Sequence, residues 1–328
     1  MIKLEKLEIS ASDEWDALVE QYPGATLFHT SFWCRVIEKT FGVKGYLLQF
    51  LDNGMTVGVV PVWIRKKAGL TLVGSPLRQT ATHYCGPLLM DGITVSQILA
   101  ALYNYVSREL KADYIDITFP YSLDIAIDSS WKVSKPETLI LSLDRTQEDL
   151  WKSFEGRART AIRKAIKSGV NVHLIHNPEK ELDTFYEMLE EVHRRHGRKP
   201  VFPKKFYESI FKVNSEYASL YGAEYNGKWI AMAFILKYKN WMNYHSAGSL
   251  RAFRQLGANN LLQWEIIKDG LRAEYILYDL GGGSGIHGIE KFKMAFRPYR
   301  DCYTNIWRAN WVGGIARKIY ERLININR

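Results

Sequence analysis

The chain repeats itself, and that repeat limits the folds open to it. Tyr46-Leu-Leu-Gln-Phe-Leu, Asp52-Asn53-Gly54 and Thr56-Val-Gly-Val-Val-Pro-Val-Trp-Ile read as two β-rich runs around an Asn-Gly hairpin turn. In the second half Leu220-Tyr-Gly-Ala-Glu-Tyr, Asn226-Gly227-Lys228 and Trp229-Ile-Ala-Met-Ala-Phe-Ile-Leu do the same. Helical stretches precede each hairpin, 14–19 with 32–40 in the first half and 182–195 with 205–211 in the second. Each hairpin is followed by further strand, then by a helix entering a strand. Ile98 to Val106 leads into Ala112-Asp-Tyr-Ile-Asp-Ile, and Leu261 to Ile267 into Ala273-Glu-Tyr-Ile-Leu-Tyr-Asp-Leu. Helices, hairpin, strand, helix, strand, twice over, predict a tandem duplication of one α+β domain. The paired Asn-Gly turns and the shared Ala-acid-Tyr-Ile argue against chance similarity.

A chain of 328 residues, 47% of them hydrophobic, is long enough for two such cores. The net charge of +9 favours anionic partners: nucleic acid, phosphorylated small molecules or an acidic membrane surface. Cys34, Cys85 and Cys302 are scattered and odd in number, which gives no disulfide framework and fits a reducing compartment. The N-terminus alternates charge and lacks the apolar core of a signal peptide. The longest apolar run, Met55 to Ile64, falls short of the roughly 20 residues of a membrane span. These features predict a soluble cytoplasmic protein, with peripheral contact to the inner membrane face left open by the charge.

Residues 278–296 carry the strongest local signal. An apolar strand, Tyr275 to Leu280, runs into the glycines of 281–288 and emerges with Lys291, Phe292 and Lys293. Glycines after a strand let backbone N–H groups approach a ligand, and lysines beyond them suit an anionic or acyl-bearing substrate. A mobile surface loop with a solvated basic tail is the plain alternative. Gly283, Gly285 and Gly288 satisfy G-x-G-x-x-G, but too little chain follows to complete a dinucleotide-binding sheet. A Walker loop fails as well, because the last glycine meets Ile289 and Glu290 rather than Lys-Ser/Thr.

The element order resembles the GNAT acyltransferase fold. The second copy also carries Arg254-Gln-Leu-Gly257-Ala-Asn259, similar to the acyl-CoA pyrophosphate motif, in which amides at a helix N-terminus hold phosphates. Asn259 replaces the final small residue and would crowd a pyrophosphate there. It also reads as the N-cap of a helix beginning near Leu261.

Two GNAT-like domains in tandem resemble the FemAB/FemX family of aminoacyl-tRNA-dependent peptidyltransferases. The pieces are Leu27-Phe-His-Thr-Ser-Phe-Trp33, Tyr114-Ile-Asp116-Ile-Thr-Phe-Pro120, the basic stretch Arg157 to Val170, and Phe185-Tyr-Glu-Met-Leu. Arg195-His-Gly-Arg-Lys-Pro-Val-Phe-Pro203, Tyr244-His-Ser-Ala-Gly-Ser249 and Asp279-Leu-Gly281-Gly282 to Lys291-Phe-Lys293 complete them. The resemblance implies domains at 1–145 and 146–296, with the tail 297–328 packing back on the first. It implies an aminoacyltransferase that moves an aminoacyl group from a tRNA-type donor to an amine of a cell-wall or surface-polymer precursor, phosphorylated or lipid-linked. No metal, cofactor or covalent enzyme intermediate is implied. His193 and His196 share a helix face without the H-E-x-x-H of a metal site. A coenzyme A-dependent N-acyltransferase, taking acetyl-CoA or another acyl-CoA as donor, is the alternative. A non-catalytic basic binding protein at the inner membrane surface is a second.

The same resemblance implies the site. Lys293 acts on the donor beside Phe292, Asp116 serves as base or amine orienter, and Tyr244 bonds the carbonyl or acceptor. Asp279, Gly281, Gly282, Trp33 and Arg254 are expected at the substrates. Phosphate contacts fall to Arg198 and, around Ile37 where relatives keep a lysine, to Arg35 and Lys39. The plain alternatives are a solvated cation for Lys293, a backbone-capped strand residue for Asp116 and ordinary core packing for Tyr244. From Leu150 to Lys167 the chain is expected to run as one basic helix, either solvated or meeting tRNA phosphates. No coiled-coil arm like that of some bacterial glycyltransferases follows it. The C-terminal Trp307 to Leu323 mixes aromatics with cations, as interfacial helices do, although packing on the first domain is the stronger expectation.

Overall fold

The computed structural model describes residues 2–7, 12–123, 128–195, 197–213, 215–282, 286–315 and 317. In chain order the first elements are β1 (Lys3–Leu7), α1 (Ser12–Glu20), α2 (Ser31–Phe41), β2 (Lys44–Asp52), β3 (Met55–Lys67) and β4 (Leu70–Ser75). β5 (Leu88–Leu89), α3 (Val95–Arg108), β6 (Tyr114–Phe119) and β7 (Lys132–Ser134) follow. Next come β8 (Glu137–Ser142), α4 (Gln147–Ser153), α5 (Gly156–Lys167), β9 (Asn171–Leu174), α6 (Pro178–Arg194) and α7 (Lys204–Val213). The rest are β10 (Ala218–Tyr225), β11 (Lys228–Tyr238), β12 (Trp241–Ser249), α8 (Ala258–Arg272), β13 (Leu277–Asp279), α9 (His287–Met294), β14 (Tyr299–Cys302) and β15 (Thr304–Ala309).

Local chemistry sets these boundaries. Both Asn-Gly hairpins turn with positive φ at both central residues, Asn53 (50°) with Gly54 (82°) and Asn226 (50°) with Gly227 (74°). That is the type I′ turn whose twist suits an antiparallel hairpin. Thr30 caps α2 by accepting from the Trp33 amide, and Gly42 ends it in the left-handed region. Thr94 and Gln97 form a capping box at the start of α3.

The chain forms two compact units, Met1–Pro136 with Cys302–Arg328, and Glu137–Asp301. The first sheet runs β1-β2-β3-β4-β6-β15-β7, with β5 beside β3, and the second runs β14-β8-β13-β12-β11-β10-β9. Read outward from the edge strands β1 and β9, the two orders correspond. An antiparallel hairpin and a third antiparallel strand lead to one parallel step, β4 to β6 and β12 to β13. A parallel pair needs a crossover, and α3 and α8 supply it. Each parallel strand then takes an antiparallel neighbour, β15 beside β6 and β8 beside β13. Because β8 ladders into the second sheet, the units divide at 136/137 rather than 145/146. Because β15 ladders into the first, the second division falls at 301/302 rather than 296/297.

Each sheet has its own core. In the first unit α3 buries Ile98, Leu99, Leu102 and Val106 against Val60, Val62, Ile115 and Ile117. In the second, Ala158 and Ile162 of α5 and Leu261 and Ile266 of α8 pack with Ile230, Ile235 and Tyr278. Fully burying each Leu or Ile contributes roughly 1.5–3 kcal/mol. The expected single basic helix is broken. α4 stops at Ser153, and Arg159 on α5 donates to the freed carbonyls of Lys152 (2.8 Å) and Phe154 (2.6 Å). No helix among the described residues is long and apolar enough to cross a membrane.

Candidate functional site

The parallel ladder of the second unit is short: Trp241 faces Leu277, Met242 faces Tyr278 and Asn243 faces Asp279. Beyond Asn243, β12 runs on to Ser249, while the other chain stays with β8 through Leu280 N–H to Leu139 C=O (2.8 Å). The two strands therefore part at Asn243 and Asp279, and polar groups gather where they separate. Asn243 is fully buried; its amide donates to the Asp279 carbonyl at 3.3 Å, and its Oδ1 finds no partner among the described residues.

Asp279 is fully buried and braces the turn that follows it. Its Oδ1 accepts from Thr138 Oγ1 (2.6 Å) on β8 and from the Gly281 amide (2.8 Å). Gly281 has φ +69°, a conformation that excludes most side chains. A Cβ on Gly282 would lie 2.9 Å from the Glu137 carbonyl oxygen, so this glycine is required by packing. Gly283 and Gly285, part of the fingerprint-like spacing, lie outside the described residues.

Lys293 enters this corner from α9. Lys291 and Lys293 are both helical, on α9. Two residues of helix turn the second side chain about 200° from the first, so they cannot share a face. Lys291 is exposed, whereas Lys293 is only 7% exposed. Its ammonium donates to the carbonyls of Gly282 (2.8 Å) and Gly281 (3.3 Å) and lies 6.0 Å from the centre of the Tyr244 ring. Burial lowers Lys293 to about 8, partly opposed by the negative charge of Asp279. It is thus not a solvated cation. Two of its three N–H donors are engaged among the described residues, which leaves one.

Tyr244 packs its ring on the second core and is pushed up to about 12 by burial, with the Gln263 amide partly offsetting this. Gln263, itself buried, accepts from the Tyr278 hydroxyl at 3.0 Å. Phe292 is a packing residue, its ring 5.6 Å from that of Phe296. The first turn of α5 fixes α9: Arg157 donates to the Lys291 carbonyl (2.6 Å) and the Glu155 amide to the Ala295 carbonyl (2.9 Å). Of the other cations on that helix, Arg159 caps α4 and Arg163 lies 5.3 Å over the Trp151 ring. Much of the expected basic patch is therefore spent on structure, with Lys164 and Lys167 left exposed.

Asp116 lies in the first unit, on β6, so the structure places it on a different sheet from Lys293 and Tyr244. It is 3% exposed and is held by side chains rather than backbone. Arg78 Nε and the Tyr114 hydroxyl each donate at 2.8 Å, and Asn305 donates to the other oxygen. Tyr114 is raised by burial and then by the neighbouring Asp116 charge. Arg78 is 56% exposed at its side chain. Trp33 is fully buried, its indole N–H donating to Thr82 (2.8 Å), which makes it a core residue rather than a substrate contact. Arg35 and Lys39 point outward from α2, and Arg198 and Arg254 are exposed in the second unit. His196 lies outside the described residues.

At the pyrophosphate-like sequence the helix starts earlier than expected. α8 opens at Ala258 with Gly257 as N-cap, and no side chain caps it. Asn259 is not the cap; it donates to Ser249 Oγ at 3.2 Å. Gly257 is also needed for packing, since a Cβ would lie 2.6 Å from the Ala161 carbonyl oxygen. Sequence reasoning missed Thr138, Arg78, Asn243 and Gln263. Thr138 and Asp279 are separated by 141 positions, and nothing local marks either as a partner of the other.

Comparison with known proteins agrees with this geometry. Residues 152–294 match a family model described as an acetyltransferase (GNAT) domain. Over 140 residues the chain is 29% identical to the UDP-N-acetylmuramoylpentapeptide-lysine N(6)-alanyltransferase of Weissella viridescens, a match covering 42% of this chain and 40% of that protein. The chain thus matches less than half the length of that curated relative. The crystal structure of FemX superposes with a TM-score of 0.71 at 17% identity, covering 92% of this chain and 96% of that one. A tandem GNAT protein from the clavulanic acid biosynthesis pathway gives 0.59 at 13% identity, covering 94% and 98%. The tandem GNAT fold and the FemX-type resemblance read from the sequence are both borne out.

Proposed function

We propose that the chain is an aminoacyltransferase that moves an aminoacyl group from a tRNA-type donor to an amine of a cell-wall or surface-polymer precursor. The observation that carries this reading is Lys293, a buried lysine beside Tyr244 with one N–H not engaged among the described residues. Attack of an amine on an ester builds negative charge on the ester oxygen, and a fixed donor in a water-poor corner stabilises it. The amine nitrogen bonds to the carbonyl carbon and loses a proton, the ester C–O bond breaks, and the tRNA hydroxyl departs with a proton; no covalent enzyme intermediate is required. The named activity of the Weissella relative supports the same reaction class.

In this reading Lys293 donates as the ammonium and Tyr244 orients the reacting group. Asp279, Thr138 and Gly281 position the lysine. In the first unit Asp116 is the residue that would orient an amine, and Arg35 and Lys39 are the exposed cations that would suit phosphates. The protein works at the cytoplasmic side of the membrane.

A coenzyme A-dependent N-acyltransferase is the second reading, and one observation favours it. The N-terminus of α8 is uncapped by side chains, and the Asn259 amide is turned to Ser249, away from the role of a cap. Incubation of the protein with charged tRNA and, separately, with acetyl-CoA decides between them. Donor deacylation dependent on an amine acceptor with charged tRNA alone supports the first reading. Turnover with acetyl-CoA alone overturns it in favour of the second. Turnover of neither leaves the non-catalytic binding protein.

A further inference from the structure

The helical residues 311–315 continue from β15 and, among the described residues, are tied to the first unit by one side. The Asn310 amide donates to Asp113 Oδ1 (2.8 Å), its Oδ1 accepts from the Gly313 amide (2.8 Å), and its backbone N–H reaches the Asp113 carbonyl (3.0 Å). Gly313 sits against that carbonyl so closely that a Cβ would lie 2.3 Å from the oxygen. One turn on, Arg317 donates to the Tyr114 hydroxyl (2.6 Å) and stacks 3.5 Å from the centre of the Trp307 ring. Positions 313 and 317 therefore anchor the helix and fix its rotation.

Positions 311 and 315 lie one turn apart on the opposite side. They carry Trp311, 78% exposed, and Ile315, 51% exposed. Folding the first unit gives no reason to hold the largest apolar side chain in water on a helix whose rotation is fixed. From Arg308 to Arg317 the sequence holds two arginines and no acid, within a chain of net charge +9.

We propose that the face bearing Trp311 and Ile315 docks on an anionic phospholipid surface. Tryptophan settles at the headgroup boundary, where its ring is buried and its N–H stays wet, and nearby cations add attraction to anionic lipid. A second copy of the chain fits less well. Two side chains are far short of the roughly 800 Å² per partner that a stable protein interface buries, whereas a bilayer needs no matching surface. The proposal stands apart from the transferase reading, because it concerns where the protein sits and not what it transfers.

The test is flotation of the full chain with vesicles of phosphatidylcholine alone and with about a third phosphatidylglycerol, at low and high salt. Wild type is expected to float with the anionic vesicles, less at high salt, and to ignore the neutral ones. Trp311→Ala combined with Ile315→Ser should lower the bound fraction at least about fivefold with an unchanged circular dichroism spectrum, since both residues are exposed. Equal flotation of variant and wild type, or none by wild type, overturns the proposal. So does a wild-type dimer in sedimentation equilibrium that the double variant abolishes, which would assign the face to self-association.

Discussion

The two units place an aspartate at the same point of the same sheet and use it differently. In each parallel ladder the third pair contains one: Gly74 with Asp116, and Asn243 with Asp279. Asp279 is closed in by Thr138 and the Gly281 amide, next to a buried lysine. Asp116 meets a guanidinium that is half in solvent, together with Tyr114 and Asn305. A duplicated backbone thus fixes where a carboxylate can stand, and the side chains brought up to it decide its chemistry. The closed corner suits a fixed donor in low dielectric, the open one a charged ligand that comes and goes.

The largest test of that contrast is Lys293→Ala. Transfer in a single-turnover assay should fall at least about a hundredfold, near 3 kcal/mol of transition-state stabilisation, with the fold retained. Asp116→Asn should cost less in that rate and more in acceptor affinity. An equal loss in rate from both would erase the distinction between the two corners.

The second test is pH. Lys293 is lowered from the usual lysine range to about 8, so between about 8 and 10.5 the folded state binds fewer protons than the unfolded one. Wild-type stability should therefore rise with pH through that window relative to Lys293→Met, by about 3 kcal/mol in total. Urea unfolding of both proteins at pH 7 and pH 10 measures the difference. A constant difference would mean that the lysine is not held as described. In the same window, turnover that depends on the ammonium should decline above about pH 8.

Thr138→Val probes the brace itself. Removing a hydroxyl from a buried carboxylate should cost about 2 kcal/mol in chemical denaturation, and Thr138→Ser should recover most of it. Loss of transfer in the valine variant beyond its loss of stability would show that the brace positions Lys293. The smallest effect belongs to the open corner. Arg78→Ala should change stability by less than about 1 kcal/mol, because its side chain is half exposed and Tyr114 and Asn305 still hold Asp116. A larger loss by thermal unfolding would make the first corner as closed as the second.

The duplication itself was legible in the chain. Two Asn-Gly turns, each between β-rich runs, require the left-handed pair of a type I′ turn, and both adopt it. The shared Ala-acid-Tyr-Ile, however, misaligns the copies. It matches Tyr114 with Tyr275, whereas the ladders match Tyr114 with Leu277, both opposite the first residue of a parallel pairing. Periodicity alone cannot see a slip of two residues, because it leaves every side chain on the same face of the strand. The same limit explains Lys293. Glycines followed by lysines read as a ligand loop or a solvated basic tail, yet α9 forms because Phe292, Ala295 and Phe296 have a core to cover.

What the sequence by itself determined was the α+β repeat, its hairpins and crossover helices, and the choice of lysine and aspartates proposed to carry chemistry. Those follow from periodicity, turn residues and residue type, all of which act over a few positions. Only the tertiary structure decided that Trp33 fills a core, that Arg157 and Arg159 hold helices, and that Thr138 and Asp279 meet. It also turned Trp311 to solvent. These outcomes depend on contacts between residues far apart in the chain, where burial and strand pairing set which groups share a corner.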